Sequence, residues 1–538
     1  MKTRFGWIFI VLMVCSSVVA QTHITVDNPD TWSGEALRPY IGQTVIFDVP
    51  MIICGNANGN YTVSPWRRFQ PESHGFVGTA EYRSTMRINS SCMFSLSNVP
   101  APETKMKENS HRCGEKIIGL KATVNSTSSL TMISGTWEGN TRADLEADLP
   151  DLGDYRLLVC GFNLENYYMT WGSMGAKSYA EHQNQRAKIS KALKKINADI
   201  FGLVELQQGD EAIAEIVSDL NANLPGRKYK YFHDGNEGTF QKVDFVYDAN
   251  TVTPISTKPA STDVEVQNRK KMMCFIENAT GERFIYSINH FKAMTGGGED
   301  RRVNESRAVV ELYNAYKSNN KVHDNDVLIM GDLNCYAYTS PIQVFIDKGL
   351  IDLHRAFHAD SSYSYMFSGL TSYIDHAICN ETMYGQITGM SGYHINSDED
   401  DKYTYDKSSD QTMFRCSDHD PVLVGLKLDS TLSKSLEPYV YSEGFTDSIA
   451  IHNTYDLNNP NAQSYFAIYN IDGIPLCPVT EIKYTDEMMQ QKDKVYSISL
   501  DNPYLPAELK KYMPLPSGLY ILYIYYKGVV IHEKFIVR

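Results

Sequence analysis

The sequence predicts an α/β protein in which a layered α/β segment lies between two small all-β segments. A chain of 538 residues with 42% hydrophobic residues exceeds what one hydrophobic core usually organises, so several domains are expected. Residues 154–428 alternate between strand-like and helix-like patterns. The residues on either side show short runs of alternating polarity separated by Gly and Asn, which is typical of β-structure.

The first segment, residues 1–20, is predicted to be a secretory signal peptide. Lys2 and Arg4 precede an apolar run, and a Val-x-Ala cleavage site ends at Ala20. A lipoprotein signal at Cys15 is less favoured, because a valine precedes that cysteine where a small residue is expected. No later stretch is apolar for long enough to span a bilayer, so no transmembrane segment is predicted. We therefore expect a secreted or cell-surface protein.

Residues 22–150 are predicted to form a small all-β domain, a five-stranded barrel that is OB-like. Alternating runs at 44–49 and 117–124 are separated by Gly and Asn turns. Small barrels of this kind can bind oligonucleotides. The aromatic-basic cluster Trp66-Arg67-Arg68 has two interpretations, a stacking surface for a base or, with more weight, a solvated loop.

Residues 154–428 carry the pattern of strands alternating with helices. Apolar residues at spacings of three and four predict amphipathic helices around residues 189–196, 213–224 and 304–316. Strand-like runs stand at residues 156–162, 284–288, 327–330 and 422–428. The acidic run 398–401 lies in a polar stretch and is interpreted as a solvated loop.

The charge balance limits the partners. The formal net charge is −14. Removal of the signal peptide takes away two basic residues, which leaves about −16. Binding of nucleic acid through the overall charge of the protein is excluded, so any polyanion must be bound by a local basic patch or by bound metal. A hydrolase that needs only brief contact with a few phosphates remains compatible with this charge.

The cysteines carry little functional information. Nine remain after signal cleavage, and they form no CxxC pair and no zinc-ribbon spacing. Cys160, Cys335 and Cys416 stand close to the motifs described next. We interpret them as small buried side chains rather than reactive thiols.

Five short polar motifs follow or precede predicted strands, where an α/β domain gathers polar groups at one edge of a sheet. They are Phe162-Asn163, Val204-Glu205, Asn289-His290-Phe291, Gly331-Asp332-Leu333-Asn334 and Ser417-Asp418-His419-Asp420-Pro421. Asp332 and Asn334 are two apart, so an extended backbone directs them to the same side. Glu205 and Asp418 add hard oxygen ligands of the kind that Mg²⁺ or Ca²⁺ prefers. The histidines add groups that titrate near neutrality, and hydrolysis of a phosphodiester needs this mixture.

The order of these motifs, together with Tyr373-Ile-Asp375-His, resembles that of the endonuclease/exonuclease/phosphatase superfamily, which is similar to deoxyribonuclease I. The resemblance covers about half of the chain and is strongest to extracellular nucleases. It implies a four-layer α/β sandwich, with two packed sheets flanked by helices, as the catalytic domain. Lys270 and Lys271 stand where such nucleases usually have a proline, and they either offset the acidic surface beside the site or protect a strand edge.

The resemblance also implies roles for individual residues. Glu205 looks like the principal metal ligand and Asp418 like a second contributor, with Mg²⁺ as the first choice and Ca²⁺ or Mn²⁺ as alternatives. His419 looks like the general base or a phosphate-contacting histidine, oriented by Asp375. The remaining residues would activate water or contact the substrate: Asp332 at the water, His290 near the leaving group, and Asn163, Asn334, Arg269 and Arg307 at the substrate.

Beyond a linker at residues 429–445, residues 446–538 are predicted to form a β-sandwich. The pieces YNIDG, LPSGLYILYI and the terminal KFIVR resemble the C-terminal sorting domain of type IX secretion substrates. This implies contact with the type IX secretion machinery and passage through the outer membrane. The alternative is an ordinary terminal β-domain with a packing role.

Three functional hypotheses follow. The favoured one is a secreted nuclease that cuts DNA or RNA. The second is a phospholipid or inositol-phosphate phosphodiesterase or phosphatase of the same fold. The third is a non-enzymatic surface-binding protein, which would have no chemical need for the whole set of polar residues. The sequence does not define the oligomeric state.

Overall fold

The structure is a computed structural model that describes most of the chain up to residue 429 and the backbone of several strands beyond it. The described residues are 21–28, 31–56, 60–101, 110–172, 174–233, 240–261, 269–319, 322, 324–400, 412–429 and the C-terminal strands named below. The predicted signal peptide lies outside the described residues. Within them, no helix combines the length and apolar character needed to cross a membrane.

The N-terminal β-segment closes into a barrel. Its strands are β1 (Thr22–Ile24), β2 (Thr44–Phe47), β3 (Met51–Gly55), β4 (Tyr61–Ser64), β5 (Phe94–Ser97), β6 (Lys116–Ser126) and β7 (Ser129–Glu138), with helix α1 (Ala80–Ser91) before β5 and α2 (Arg142–Ala147) after β7. The strand order β6-β3-β4-β5-β7 returns to β6, and the β5–β7 pair is parallel. This closed five-stranded order matches the predicted small OB-like barrel.

Two sheets form the centre of the α/β segment. The first has the order β10-β11-β9-β8-β22-β21, and the second has the order β12-β14-β15-β16-β20-β17 with β13 on β14. The strands of the first are β8 (Leu157–Tyr167), β9 (Ile200–Gln207), β10 (Tyr229–Tyr231), β11 (Gln241–Asp248), β21 (Ile387–Gly392) and β22 (Val422–Leu426). Those of the second are β12 (Val252–Pro254), β13 (Ala260–Ser261), β14 (Lys270–Glu277), β15 (Arg283–His290), β16 (Val327–Asp332), β17 (Ile351–Asp352) and β20 (Asp375–Cys379). A separate hairpin pairs β18 (Tyr365–Phe367) with β19 (Leu370–Ser372).

Helices cover both outer faces of this pair of sheets. They are α3 (Tyr179–Ile196), α4 (Glu211–Asn223), α5 (Glu299–Lys317) and α6 (Ser340–Ile346). Two shorter helices, α7 (Leu353–His358) and α8 (Glu381–Tyr384), contribute Leu353 and Met383 to the core between the sheets. Val424 of the first sheet and Met330 of the second belong to a core between the sheets. Leu193 packs on the outside of the first sheet, and Val309 on the outside of the second. The four-layer α/β sandwich and the three predicted long helices are therefore confirmed.

The C-terminal region is described as two further sheets. One pairs β23 (Tyr439–Ser442), β24 (Ile449–His452) and β27 (Val495–Ser497) in that order. The other has the order β26-β25-β28-β29, with β25 (Ser464–Asn470), β26 (Pro475–Glu481), β28 (Gly518–Tyr526) and β29 (Val529–Val537). All of these pairings are antiparallel.

Buried ion pairs join the barrel to the α/β sandwich. Arg67 lies 2.5 Å from Asp398, while Arg112 and Arg142 lie 2.9 Å and 2.5 Å from Glu399. Burial would raise the pKa of Asp398, but the positive charges of Arg67 and Arg112 outweigh it and lower that pKa. Removal of one partner of a buried pair costs about 3–5 kcal/mol, because the other charge stays buried. We call this set, Arg67, Arg112, Arg142, Asp398 and Glu399, the interdomain network.

The interdomain network corrects two sequence interpretations. The acidic run 398–401 was expected to be a solvated loop, but Asp398, Glu399 and Asp400 are buried, and Asp401 lies outside the described residues. The cluster around Arg67 is neither a base-stacking surface nor a solvated loop, since the guanidinium of Arg67 is directed at Asp398 and lies over the ring of Tyr363 at 3.9 Å. Both interpretations were wrong for one physical reason: the opposite charges come from segments that are distant in sequence.

Two lysines were also misinterpreted. Lys270 and Lys271 are buried on β14, which has neighbours on both sides, and their amino groups lie 3.3 Å from Glu305 and 3.1 Å from Asp244. They neither offset the surface charge nor protect a strand edge. The prediction for the three cysteines near the motifs is confirmed, because Cys160, Cys335 and Cys416 are all buried, and burial raises the pKa of each thiol.

Candidate active site

The sheets bring most of the predicted polar residues to one edge of the sandwich. In the second sheet, Asp332 at the end of β16 is paired with His290 at the end of β15 and with Asp375 at the start of β20. One imidazole and two carboxylates therefore lie side by side on adjacent strands. Gly331 has a φ of 124°, and a Cβ there would collide with the carbonyl of Asn289. Only glycine lets β16 pass so close to β15.

A histidine–carboxylate pair forms one wall of the site. His419 Nδ1 lies 2.7 Å from Asp375 Oδ2, and the hydroxyl of Ser364 donates to the same oxygen at 2.7 Å. Burial would lower the pKa of His419, but the charges of Asp375 and Asp418 outweigh it and hold that pKa well above its usual value. The ring therefore presents Nε2 to the site, 4.0 Å from Asp332 Oδ2 and 3.9 Å from Asp418 Oδ1.

Asp332 lies at the centre of the site. Asn163 donates to its Oδ2 at 3.1 Å, and the backbone N–H of Asn334 donates to its Oδ1 at 2.9 Å. His290 Nε2 lies 3.7 Å from Asp332 and 3.6 Å from Glu205. Burial, together with the charge of Arg269, lowers the pKa of His290 well below its usual value, so this second histidine is neutral. Burial and the nearby carboxylates raise the pKa of Asp332 to about 7.

Three further carboxylates face the same space. Glu205 accepts a hydrogen bond from the backbone N–H of Asn166 at 2.9 Å, and Asp418 is one third exposed. Glu165, which the sequence did not reveal, is partly buried and lies close enough to interact with Asp418 and Glu205. Burial and repulsion from Asp418 raise the pKa of Glu205, and the same two causes raise the pKa of Glu165 to about 8.

The backbone is strained where these ligands are held. Glu165, Asn166, Glu205 and Asn334 have φ angles of 53°, 58°, 64° and 49°. Non-glycine residues rarely adopt this left-handed conformation, and such strain clusters at functional sites. The turn after Asn163 re-aims Glu165, and the kink near the end of β9 directs Glu205 toward the same point.

The donor set fits a divalent cation. His290, Glu205 and Asp332 place ligand atoms within 4.8 Å of one another. Among the described residues, Glu165 Oε2 and His290 Nδ1 are buried without a hydrogen-bond partner. A cluster of carboxylates that repel one another is stabilised by a cation, and oxygen ligands suit Mg²⁺, Ca²⁺ or Mn²⁺. This acidic cluster, with His290, is therefore a candidate divalent-metal site.

We expect the metal-free protein to lose stability as pH rises from 6.5 to 8.5. The folded protein holds protons on Asp332 and Glu165, with pKa values of about 7 and about 8, whereas the unfolded chain has already released them. The raised pKa of His419 acts in the same direction. The lowered pKa of His290 acts in the opposite direction, but only below 6.5, the value in the unfolded chain.

The measurement is the melting temperature of the full chain in EDTA at several pH values across this window. The slope should become shallower in Asp332→Asn, which removes one of the titrating groups. Added Mg²⁺ should raise the melting temperature most at high pH, where its ligands are ionised. A metal-free melting temperature that stays constant or rises with pH would contradict the expectation.

Of the predicted substrate-binding residues, Arg269 and Asn334 lie at the site, whereas Arg307 does not. Arg269 lies beside the site, where its guanidinium donates to the carbonyl of Phe291 at 2.7 Å, and Asn334 donates to the same carbonyl at 3.2 Å. Arg307 is exposed on α5 and donates to Asn304 one turn away at 3.1 Å. The geometry thus brings together nine of the predicted site residues and places Arg307 on the outer helix.

The sequence held one usable signal for the missed carboxylate. Glu165 stands two residues after Asn163, the same spacing that linked Asp332 to Asn334. Two further residues contact the His419–Asp375 pair: Ser364 through its hydroxyl and Tyr365 through its ring, which lies 4.8 Å from the ring of His419. The sequence held no signal for either, because a serine and a tyrosine in a hairpin form no recognisable motif.

Comparison with known proteins agrees with this geometry. A family model described as "Endonuclease/Exonuclease/phosphatase family" matches residues 161–419. That range contains four of the five motifs in full and the first three residues of the fifth, and residues 161–419 therefore form a domain of this family. The protein is accordingly an enzyme, a hydrolase of phosphate ester bonds. No curated protein matched the chain.

Several solved structures are similar to the chain. An endonuclease/exonuclease/phosphatase family protein from Bacteroides thetaiotaomicron is 20% identical, over 51% of this chain and 98% of that one, with a TM-score of 0.36. The mannosyl-6-phosphatase of the same organism is 19% identical, over 51% and 100%, with a TM-score of 0.36. D. rerio TDP2 in complex with a single-strand DNA product is 13% identical, over 51% and 99%, with a TM-score of 0.35.

Proposed function

We propose that the protein is a secreted, divalent-metal-dependent phosphodiesterase that hydrolyses nucleic acid, with DNA as the first substrate and RNA as the second. One observation carries the proposal. The His419–Asp375 pair faces the buried Asp332, which Asn163 holds in place, and further carboxylates stand beside it. This arrangement combines a cationic donor, a base and a metal-binding surface around a single point, as phosphodiester hydrolysis requires.

The protonation states of the site residues suggest a different catalytic role for each. His419, held cationic by Asp375, directs Nε2 into the site and is placed to donate to a non-bridging phosphate oxygen. Asp332, with its pKa of about 7, is suited to take the proton of the attacking water. Neutral His290 is placed to act near the leaving oxygen, and Asn163 orients Asp332.

Glu205, Asp418 and Glu165 would hold the metal, with Mg²⁺ as the first choice. Glu205 and Glu165 are partly buried and are repelled by Asp418, so the metal-free site carries clustered negative charge that a cation would neutralise. A bound divalent ion supplies charge neutralisation at phosphate oxygens and acidifies water.

Exposed aromatic side chains on loops near the site favour nucleic acid over a small phosphate ester. Trp171 is 47% exposed and Phe240 is 75% exposed. Both stand on loops held at the end of β9, the strand that carries Glu205, because the backbone N–H of Thr170 donates to Gln207 and the carbonyl of Phe240 accepts from the backbone N–H of Gln208. Stacking on an aromatic ring contributes about 1–3 kcal/mol per base and tolerates any base.

Phe367, two residues after the Tyr365 that contacts His419, stands at the tip of the β18–β19 hairpin and is 59% exposed. Together these rings would offer stacking surfaces to the bases of a bound strand. Such contacts do not depend on a positive surface, which suits a chain whose net charge is −14.

Secretion is part of the proposal. The basic-then-apolar start of residues 1–20 supports export. The C-terminal strands, with the motif resemblance at LPSGLYILYI, support a role as a sorting domain for the type IX machinery. Detection of the full-length or processed protein outside the cell would test both, and retention in the cytoplasm would contradict both.

The activity test compares three substrates in Mg²⁺ and in EDTA: plasmid DNA, a fluorescent single-stranded oligonucleotide and bis(p-nitrophenyl) phosphate. All three should be cleaved only with metal. Trp171→Ala should raise KM for the oligonucleotide about tenfold, in line with the loss of one stacked base, and leave KM for the small ester unchanged. Tyr155→Ala is the matched control, because Tyr155 is 38% exposed at the opposite end of β8.

Other outcomes separate the hypotheses. Cleavage of the small ester without cleavage of DNA or RNA would transfer the proposal to phospholipid or inositol-phosphate diesters. Metal binding without turnover of any phosphate ester would contradict the enzymatic proposal and favour a surface-binding protein.

A further inference from the structure

We infer that the N-terminal barrel positions the catalytic His419–Asp375 pair, so that Arg67, Tyr363 and Asp398 are positioning residues of the active site. The inference rests on the proposed function for the identity of the reaction. It goes beyond that function because it makes a separate domain part of the catalytic apparatus. Four sets of contacts support it.

The first set links the hairpin to the pair. Ser364 donates its hydroxyl to Asp375 Oδ2 at 2.7 Å, and its carbonyl accepts from the backbone N–H of Asp420 at 2.7 Å. The next residue, Tyr365, forms a backbone bridge with His419 and packs its ring against the imidazole. The backbone at residues 364–365 therefore fixes both members of the pair.

The second set links residues 394–397 to the same pair. Asn396 donates its side-chain N–H to the carbonyl of His419 at 2.6 Å. The backbone N–H groups of Asn396 and Ser397 donate to Asp420 Oδ1 at 2.8 Å and 2.9 Å. His394 Nδ1 lies 3.0 Å from the other oxygen of Asp420. The segment that contacts His419 and Asp420 is therefore continuous in sequence with Asp398.

The third set shows that Tyr363 joins these two segments to the barrel. Its ring lies between the guanidinium of Arg67, at 3.9 Å, and the imidazole of His394, which is stacked at 3.7 Å with an interplanar angle of 4°. Its hydroxyl donates to Asp398 Oδ2 at 2.7 Å. Arg67 lies 2.5 Å from the other oxygen of Asp398. One barrel arginine therefore contacts the first residue of the hairpin segment and the acidic run together.

The fourth set anchors the far strand of the hairpin. The backbone N–H of Thr371 donates to the carbonyl of Arg68 at 2.9 Å, and its hydroxyl donates to the same carbonyl at 2.8 Å. The backbone N–H of Gln70 donates back to Thr371 at 2.9 Å. The barrel thus adds a short strand-like contact to the edge of the hairpin whose other strand carries Tyr365.

These contacts leave a purely structural role as the competing interpretation. A structural role predicts that loss of Arg67 lowers the melting temperature without changing turnover in the protein that remains folded. A positioning role predicts a fall in kcat at temperatures where the variant is fully folded, because a small displacement of a catalytic group is costly. Misplacement by about 1 Å reduces rates roughly 100-fold.

The experiment uses the full chain with Arg67→Ala, Arg67→Lys and Tyr363→Phe, assayed on bis(p-nitrophenyl) phosphate with Mg²⁺ well below each melting temperature. We expect kcat to fall about 10- to 100-fold in Arg67→Ala, with KM changed less than about twofold. Arg67→Lys should recover part of kcat, since it keeps the charge beside Asp398 but not the planar stack on Tyr363. Tyr363→Phe keeps the stacked ring and loses only the donor to Asp398, so it covers the case in which Arg67→Ala fails to fold.

The matched control is Arg38→Ala. Arg38 is an exposed arginine of the barrel that pairs with Glu35, and its loss should leave kcat unchanged. Folded Arg67→Ala and Tyr363→Phe with kcat within about twofold of the unsubstituted protein would overturn the inference. A lower melting temperature alone would not support it.

A second readout needs no substrate. The Nδ1 proton of His419, held by Asp375 at 2.7 Å, should give a downfield proton NMR signal that is absent in His419→Ala. The signal should shift or disappear in Arg67→Ala and persist in Arg38→Ala. If the protein cleaves no phosphate ester, the proposed function fails, while this signal still decides the inference. An unchanged signal in Arg67→Ala would overturn it.

Discussion

His419→Ala will lower kcat for phosphodiester hydrolysis by at least two orders of magnitude. The substitution removes a cation that faces the centre of the site, 4.0 Å from Asp332 and 3.9 Å from Asp418. A positioned acid or base contributes about 10²–10⁴-fold, and loss of a charge-stabilising donor costs a similar factor. Steady-state kinetics on a soluble diester with saturating Mg²⁺ is the measurement.

Asp375→Asn provides a graded companion to this variant. It keeps a side chain of the same size beside His419 Nδ1 but removes the charge that holds the ring cationic, so kcat should fall to a value between those of His419→Ala and the unsubstituted protein. His23→Ala is the control, because His23 pairs with Asp48 on the barrel surface. Activity in His419→Ala within tenfold of the unsubstituted protein would remove this histidine from the mechanism.

Glu205→Gln should abolish most activity by weakening metal binding. Glu205 is part of the donor group with His290 and Asp332, and its carboxylate faces the other acids of the site. A metal contributes several kcal/mol to stabilisation of the transition state, and 1.4 kcal/mol is a factor of ten. We therefore expect a loss of about three orders of magnitude in kcat/KM at low Mg²⁺.

A thermal readout separates metal loss from a folding defect. In EDTA, Glu205→Gln should melt at or above the temperature of the unsubstituted protein, because it removes a partly buried charge that repels Asp418. Addition of Mg²⁺ or Mn²⁺ should raise the melting temperature of the unsubstituted protein but not that of the variant. Glu311→Gln, on the exposed face of α5, is the control. An equal metal-induced rise in Glu205→Gln would exclude Glu205 as a ligand.

The sequence predicted the centre of the site because each motif is short and stands at the end of a strand. Asp332 and Asn334 are related by the two-residue repeat of an extended chain, and a register of parallel strands brings His290 beside Asp332. The layered α/β fold followed from helix spacing and from the apolar runs of buried strands. The N-terminal barrel followed from alternation, although its closure depends on the long-range pairing of β6 with β3 and of β5 with β7.

What the sequence did not predict depends on contacts between distant segments or on backbone geometry. Glu165 faces the metal site only because the chain takes a left-handed turn there, and a φ of 53° is not encoded in a recognisable pattern. The burial of Asp398 depends on Arg67, which is 331 residues away. A run of acidic residues is usually solvated, and the sequence does not show which arginines pair with this one, so the expectation of a solvated loop was wrong.

The interdomain network has a consequence for how the chain matures. The barrel is synthesised first, yet the carboxylates that neutralise Arg67 and Arg112 come from a segment about 331 residues after Arg67. At about 5–20 residues per second, this delay is roughly 20–60 s. During that interval a folded barrel would present a patch of unneutralised arginines. Neutralisation of the barrel's arginines therefore depends on the last third of the catalytic domain. A nascent chain cut before Asp398 would carry a cationic surface that the mature enzyme never exposes.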